Sequence, residues 1–145
     1  MNSFAALDRW FDQFLQHLEP SQRRELMRRL AQGLRVRFKD RIKQQKEPNG
    51  NRFAPRKRDQ IGNIKRKGAM FNKIGQRLKT EYSAEKASIG FGGRSAYIAK
   101  VHQEGRTIRP TDRAKPTKYP IRELVGFSQA DQKWIETELE RFFRI

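Results

Sequence analysis

From residue 46 to residue 80 the chain carries eleven Lys or Arg against only Glu47 and Asp59, which places more than half of the net charge of +17 in a quarter of its length. Up to Gly68 the apolar anchors are mainly Phe53, Ile61 and Ile64. So few apolar groups cannot offset the entropy lost on ordering the backbone, and the segment is expected to be a long mobile loop in the isolated protein. A loop of this length usually binds something or orders on assembly. Its basic residues Arg52, Arg56, Lys57, Arg58, Lys65, Arg66 and Lys67 are the candidate partner-contacting set.

The apolar residues lie on either side. Phe4, Leu7, Phe11, Phe14 and Leu18 fall at helical spacing after a candidate N-cap, Ser3, and Trp10 and Leu15 widen the face. Phe4, Leu7, Phe11 and Phe14 are the candidate subunit interface. Pro20-Ser21 breaks this helix and caps the next, which runs to about Gln45 with Leu26, Leu30, Leu34, Phe38 and Ile42 at every fourth position and a basic opposite side. An antiparallel helical hairpin is expected over residues 1–45. Pro48-Asn49-Gly50 then marks a turn.

Beyond the basic segment, Met70, Phe71, Ile74 and Leu78 predict a short helix. Residues 80–84 and 87–91 alternate as two strands paired across Glu85-Lys86. Gly92-Gly93 ends the second strand, and Ser95 is the candidate cap of a helix with Tyr97, Ile98 and Val101 on one apolar face and Gly105 as its left-handed stop. Arg106 to Arg109 adds a candidate strand, and PTDRAKPTKYP (110–120) is expected to hold no regular structure. Ser128 and Asp131 have capping-box spacing before a last helix bearing Trp134, Ile135, Leu139 and Phe142. The fold class is α+β: an N-terminal helical hairpin, a basic loop (46–69), and an α+β part (70–145) with a small antiparallel sheet, short helices and a C-terminal helix. We expect a single domain over residues 1–145.

The chemistry that this composition permits is narrow. No cysteine is present, so disulfides and thiolate metal sites are excluded and the reducing cytoplasm is the expected compartment. No apolar run approaches membrane-spanning length, and no basic-then-apolar signal opens the chain. Residues 90–95, GFGGRS, lack the Lys of a Walker loop and the third glycine of a dinucleotide site. His17 and His102 have no His or acid at i+4 to complete a helical metal pair. Catalytic residues, metals and cofactors are therefore expected to be none, with Tyr97 and His102 read as packing and hydrogen-bonding groups. The charge suits a polyanion or an acidic protein surface, and a nonspecific nucleic-acid-binding protein is the alternative from another class.

Four stretches in order carry a resemblance: residues 47–56 (EPNGNRFAPR), 88–91 (SIGF), 97–105 (YIAKVHQEG) and 119–128 (YPIRELVGFS). Together they resemble the tail completion or virion morphogenesis proteins of contractile-tailed bacteriophages, over roughly residues 20 to 143. Phe53 stands where that family often has Trp, and Ile98 precedes the helix alanine. The resemblance implies a non-enzymatic viral structural protein that finishes the tail and makes it competent for head–tail joining. It further implies a hexameric ring at the tail end or neck, with tail tube or sheath proteins and head or neck connector proteins as partners and DNA passing through the lumen. Its expected location is the virion, with the host cytoplasm during assembly.

Overall fold

The computed structural model describes residues 3–56 and 69–143, with Ser3, Phe4, Leu7 and Phe14 described by backbone alone. The elements in order are α1 (Ser3–Leu15), α2 (Pro20–Lys43), α3 (Asn72–Gly75), β1 (Lys79–Tyr82), β2 (Ala87–Gly90), α4 (Gly93–Glu104), β3 (Thr107–Ile108), β4 (Thr117–Lys118) and α5 (Gln129–Phe143). This is an α+β arrangement with two small two-stranded sheets, β1 with β2 and β3 with β4.

Local chemistry accounts for most of the boundaries. Pro20 is the first residue of α2, where its missing N–H costs nothing. The Gln22 side chain accepts the Glu19 N–H at 3.0 Å, half of a capping box. Ser21, expected as the cap, therefore lies inside the first turn. Ser128 does cap α5 as its spacing predicts: the Ser128 hydroxyl accepts the Asp131 N–H at 2.9 Å, and the Asp131 carboxylate accepts the Ser128 N–H at 3.0 Å. A cap of this kind contributes about 1 kcal/mol. The β1–β2 hairpin turns through Ser83, whose N–H donates to the Lys86 carbonyl at 2.8 Å and whose hydroxyl accepts the N–H groups of Glu85 and Lys86.

Three readings are corrected here. First, α4 starts after Gly92 with no side-chain cap, and Ser95 is a buried first-turn residue. Its packed face consists of Ser95, Ala99 and Val101, whereas Tyr97 and Ile98 are 53% and 38% exposed; small residues pack closest, and the bulky neighbours are left outside. Second, Thr117 and Lys118 in the proline-rich segment form β4, in register Thr107↔Lys118 and Ile108↔Thr117. Pro116 and Pro120 flank that strand and do not interrupt it, which limits it to two residues. Third, residues 46–53 form a tight hairpin with a Lys46–Arg52 bridge. In it the Gly50 N–H donates to the Glu47 carbonyl at 2.9 Å and the Glu47 N–H to the Asn51 carbonyl at 2.8 Å. The Pro-Asn-Gly turn is what nucleates it.

The chain forms two compact units. The first comprises residues 1–36, 80–89 and 127–145; the second, 37–79 and 90–126. In the first, Leu26, Met27, Leu30, Ala31 and Leu34 of α2 are buried with Ile135 and Leu139 of α5. The second buries Phe38, Ile42, Phe53, Ile74, Leu78, Ala99, Val101 and Leu124. The basic side of α2 is largely used within the molecule. Arg28 and Arg29 pair with Glu25, holding that carboxylate down at about 2 chiefly through the Arg28 hydrogen bond. Arg24 lies 4.9 Å from the centre of the Tyr82 ring and Arg29 5.6 Å from that of Phe142, contacts worth about 0.5–1 kcal/mol when exposed.

Candidate functional site

In the second unit, three of the four stretches that carry the family likeness meet around Arg122. This side chain is only 4% exposed. Its Nε donates to the Ala54 carbonyl at 2.7 Å, its Nη2 to the Pro55 carbonyl at 3.1 Å and its Nη1 to His102 Nδ1 at 3.2 Å. A planar fork of donors can hold three acceptors at once, which a point-charge lysine cannot. The Arg122 N–H donates in turn to the His102 carbonyl at 2.8 Å.

His102 sits between two aromatic rings, 4.7 Å from Phe71 and 5.1 Å from Tyr119, and Phe71 meets Phe53 edge-on at 5.4 Å. Burial, and then the Arg122 charge, lower its pKa to about 4. Since Nδ1 accepts from Arg122, the neutral imidazole carries its proton on Nε2. Protonation would turn that acceptor into a donor facing a guanidinium. The sign follows from linkage: the unfolded chain protonates His102 near pH 6.5 and the folded chain near 4. The contribution is thus present above 6.5 and lost as pH falls through the window down to about 4. Stability measured by urea unfolding at pH 7.0, 5.5 and 4.5 is expected to decline, with a shallower decline in His102→Phe. Equal slopes in the two proteins would refute the assignment.

Other polar groups latch the same junction. Gln103 Oε1 accepts the Leu124 N–H at 2.7 Å and the Val125 N–H at 3.2 Å, while its Nε2 donates to the Val125 carbonyl at 2.9 Å. The Glu47 carboxylate accepts the Glu123 N–H at 3.0 Å, and Arg41 Nη2 donates to the Gly126 carbonyl at 2.8 Å. Gly105 has the expected left-handed φ of 65°, with the Arg106 N–H returning to the Val101 carbonyl at 2.9 Å as in a Schellman close. A Cβ there would come within 2.8 Å of Ile121, so the YIAKVHQEG stretch needs glycine for packing as well as for conformation.

This junction holds both ends of the most basic segment. On the entering side, Arg122 holds Ala54 and Pro55. On the leaving side, Gln45 Oε1 accepts the Met70 N–H at 3.1 Å and Gln45 Nε2 donates to the Met70 carbonyl at 2.9 Å. Gln45 itself has a positive φ of 62°. The cations between these clamps, Lys57, Arg58, Lys65, Arg66 and Lys67, lie outside the described residues. Of the candidate partner-contacting set, Arg52 is exposed on the hairpin opposite Lys46, and Arg56 is half-buried at the entering end. In the candidate subunit interface the Phe11 side chain is half-buried, and those of Phe4, Leu7 and Phe14 lie outside the description.

Composition and periodicity did not single out Arg122, Gln45 or Gln103. Arg122 and Gln103 lie in the stretches that carry the resemblance, and that was their only signal. Among the described residues no three His, Asp or Glu are grouped to hold a metal ion, and no helix is long and apolar enough to cross a membrane.

Comparison with known proteins agrees with this reading of the stretches. The model of the phage virion morphogenesis family matches residues 2–144. Tail completion protein S of Escherichia phage P2 is 37% identical over 143 residues, covering 94% of each chain. No solved structure matches. The chain therefore belongs to the phage virion morphogenesis family.

Proposed function

We propose that this protein is a structural virion component that completes a phage tail and makes it competent to join a head. It acts without catalysis, as a ring of identical subunits, six in number, at the neck end of the tail. The observation that carries the proposal is the likeness, at 37% identity over 94% of both chains, to a protein named for tail completion. The geometry is in keeping with it. A buried arginine and a glutamine fix the two ends of a strongly basic segment to a packed junction, which favours presenting that segment to a neighbouring surface. Arg52, Arg56, Lys57, Arg58, Lys65, Arg66 and Lys67 contact the tail tube or sheath, the head or neck connector proteins, or DNA in the lumen. Phe4, Leu7, Phe11 and Phe14 meet a second subunit. The protein then resides in the virion, at the tail or neck, after assembly in the host cytoplasm.

The test is complementation of a phage lacking this gene. Replacing Arg56, Lys57, Arg58, Lys65, Arg66 and Lys67 together by Gln is expected to leave the urea midpoint unchanged and to abolish tail-to-head joining. Normal yields of infectious particles would overturn the role given to the segment. A net charge of +17 also favours a second reading, nonspecific nucleic-acid binding. Submicromolar binding to short duplexes at physiological salt, with a steep salt slope, would support that reading instead.

A further inference from the structure

Charge is divided unequally between the two units. The first holds ten Lys or Arg and ten Asp or Glu and is neutral, while the second holds the remaining 23 and six and so carries the whole +17. Two copies that met through their second units would set these charges against each other. A stable contact between copies therefore pairs the second unit of one with the first unit of the next. We propose that α1 of one subunit lies along the outer side of α4 of the next, a head-to-tail contact. The proposal rests on the ring of identical subunits put forward above and names the surface that receives α1.

The receiving side is apolar and uncovered. Tyr97, Ile98 and Ile121, all in the second unit, are exposed, Ile121 by 57%. Ile98 and Gly105 stand two turns apart on one side of α4, about 10 Å along its axis. Ile121 packs at Gly105, where a Cβ would come within 2.8 Å of its Cγ1. With Tyr97 beside Ile98, these residues make one apolar stripe along the helix. Cations edge it. Arg94 is exposed one turn before Tyr97 and Ile98, and Lys100 one turn after Tyr97. At the far end the Lys118 ammonium donates to the Gly105 carbonyl at 2.7 Å. Glu104, the acid of this helix, is paired with Arg106.

The complement is α1. None of its described side chains is buried, and Trp10, Phe11 and Leu15 are only half-covered. Asp8 and Asp12 are one turn apart, and each stands one turn before an apolar residue, Phe11 and Leu15, so both acids edge the apolar side. Both are exposed, and neither forms an ion pair among the described residues. Arg9, the one base of α1, turns away to the Ala5 carbonyl at 3.3 Å.

The lengths agree as well. The 13 residues of α1 span about 20 Å, and Arg94 to Gly105 about 16 Å. In the same unit α5 also exposes acids, Glu136 and Glu140, but its Ile135 and Leu139 are already buried. An apolar helix edged by acids thus fits an apolar stripe edged by bases, and the opposite charges select this pairing over like with like.

The experiment measures the mass of the full chain in solution by sedimentation, with urea unfolding as the control for folding. The wild-type chain is expected to associate as its concentration rises. Asp8→Lys/Asp12→Lys and Arg94→Glu/Lys100→Glu are each expected to weaken association roughly tenfold or more alone. Mixed in equal amounts they should associate again, because each then meets its opposite. Tyr97→Ser/Ile121→Ser is expected to weaken association to a similar extent at an unchanged urea midpoint. A wild-type chain that is monomeric at every concentration would overturn the proposal. So would wild-type association of Arg94→Glu/Lys100→Glu, which would mean that α1 pairs with α1, or charge variants that stay apart when mixed, which would mean that α1 covers its own chain. The tail-completion reading fails separately: a chain that associates in this way and cannot complement a phage lacking this gene would overturn that role and leave the contact standing.

Discussion

Arg122→Ala is expected to destabilise the protein by about 3 kcal/mol, because two carbonyls lose a charged donor and the long side chain leaves a void. The two carbonyls are those of Ala54 and Pro55, 68 and 67 residues away in sequence. Arg122→Lys should recover only part of the loss, since one ammonium cannot reach three acceptors in the guanidinium plane. Urea unfolding measures the first effect. A second readout separates this from generic core damage: with the guanidinium gone, the His102 pKa should rise from about 4 toward its ordinary value while burial still holds it below 6.5. An Arg122→Ala protein with wild-type stability and an unmoved His102 titration would show that the arginine does not hold the entrance to the basic segment.

Gly33→Ala is expected to destabilise by about 2 kcal/mol, against the usual gain of about 1 kcal/mol for replacing a mid-helix glycine by alanine. A Cβ on Gly33 would lie 2.1 Å from Trp134 Cη2 and 2.3 Å from Cζ2. Neither ring atom can give way without moving the whole indole, which is packed within the first unit. Trp134→Leu should remove the clash, so the double variant Gly33→Ala/Trp134→Leu is expected to be less unstable than the sum of the single changes. If Gly33→Ala alone raised the urea midpoint, the close approach of α2 and α5 at this point would be disproved.

The two variants also mark where sequence reasoning stops. Seen as sequence, Gly33 is a helix-weakening residue inside a good apolar stripe, and nothing nearby announces an indole 101 positions later. Arg122 reads as one cation among many in a chain with 33 of them. Tyr97 and Ile98 look like a core face, yet α4 packs through Ser95 and Ala99 because small side chains allow the closest approach. Each of these depends on which distant segment arrives, and a local pattern carries no such information.

Where the cause is local, the residues suffice. Ser128 and Asp131 cap α5 by their spacing alone, and Pro48-Asn49-Gly50 turns the chain because its dihedrals are preset. Gly105 stops α4 because a left-handed residue is needed there. The every-fourth stripe from Leu26 to Ile42 is buried throughout, since helical periodicity fixes which positions face inward. Sequence by itself thus determined the α+β class, the family and the surplus of positive charge. Only the tertiary structure decided that a buried guanidinium and a glutamine hold the two ends of the most basic stretch. Hydrogen bonds and burial between residues far apart in the chain exist only once the fold has brought them together.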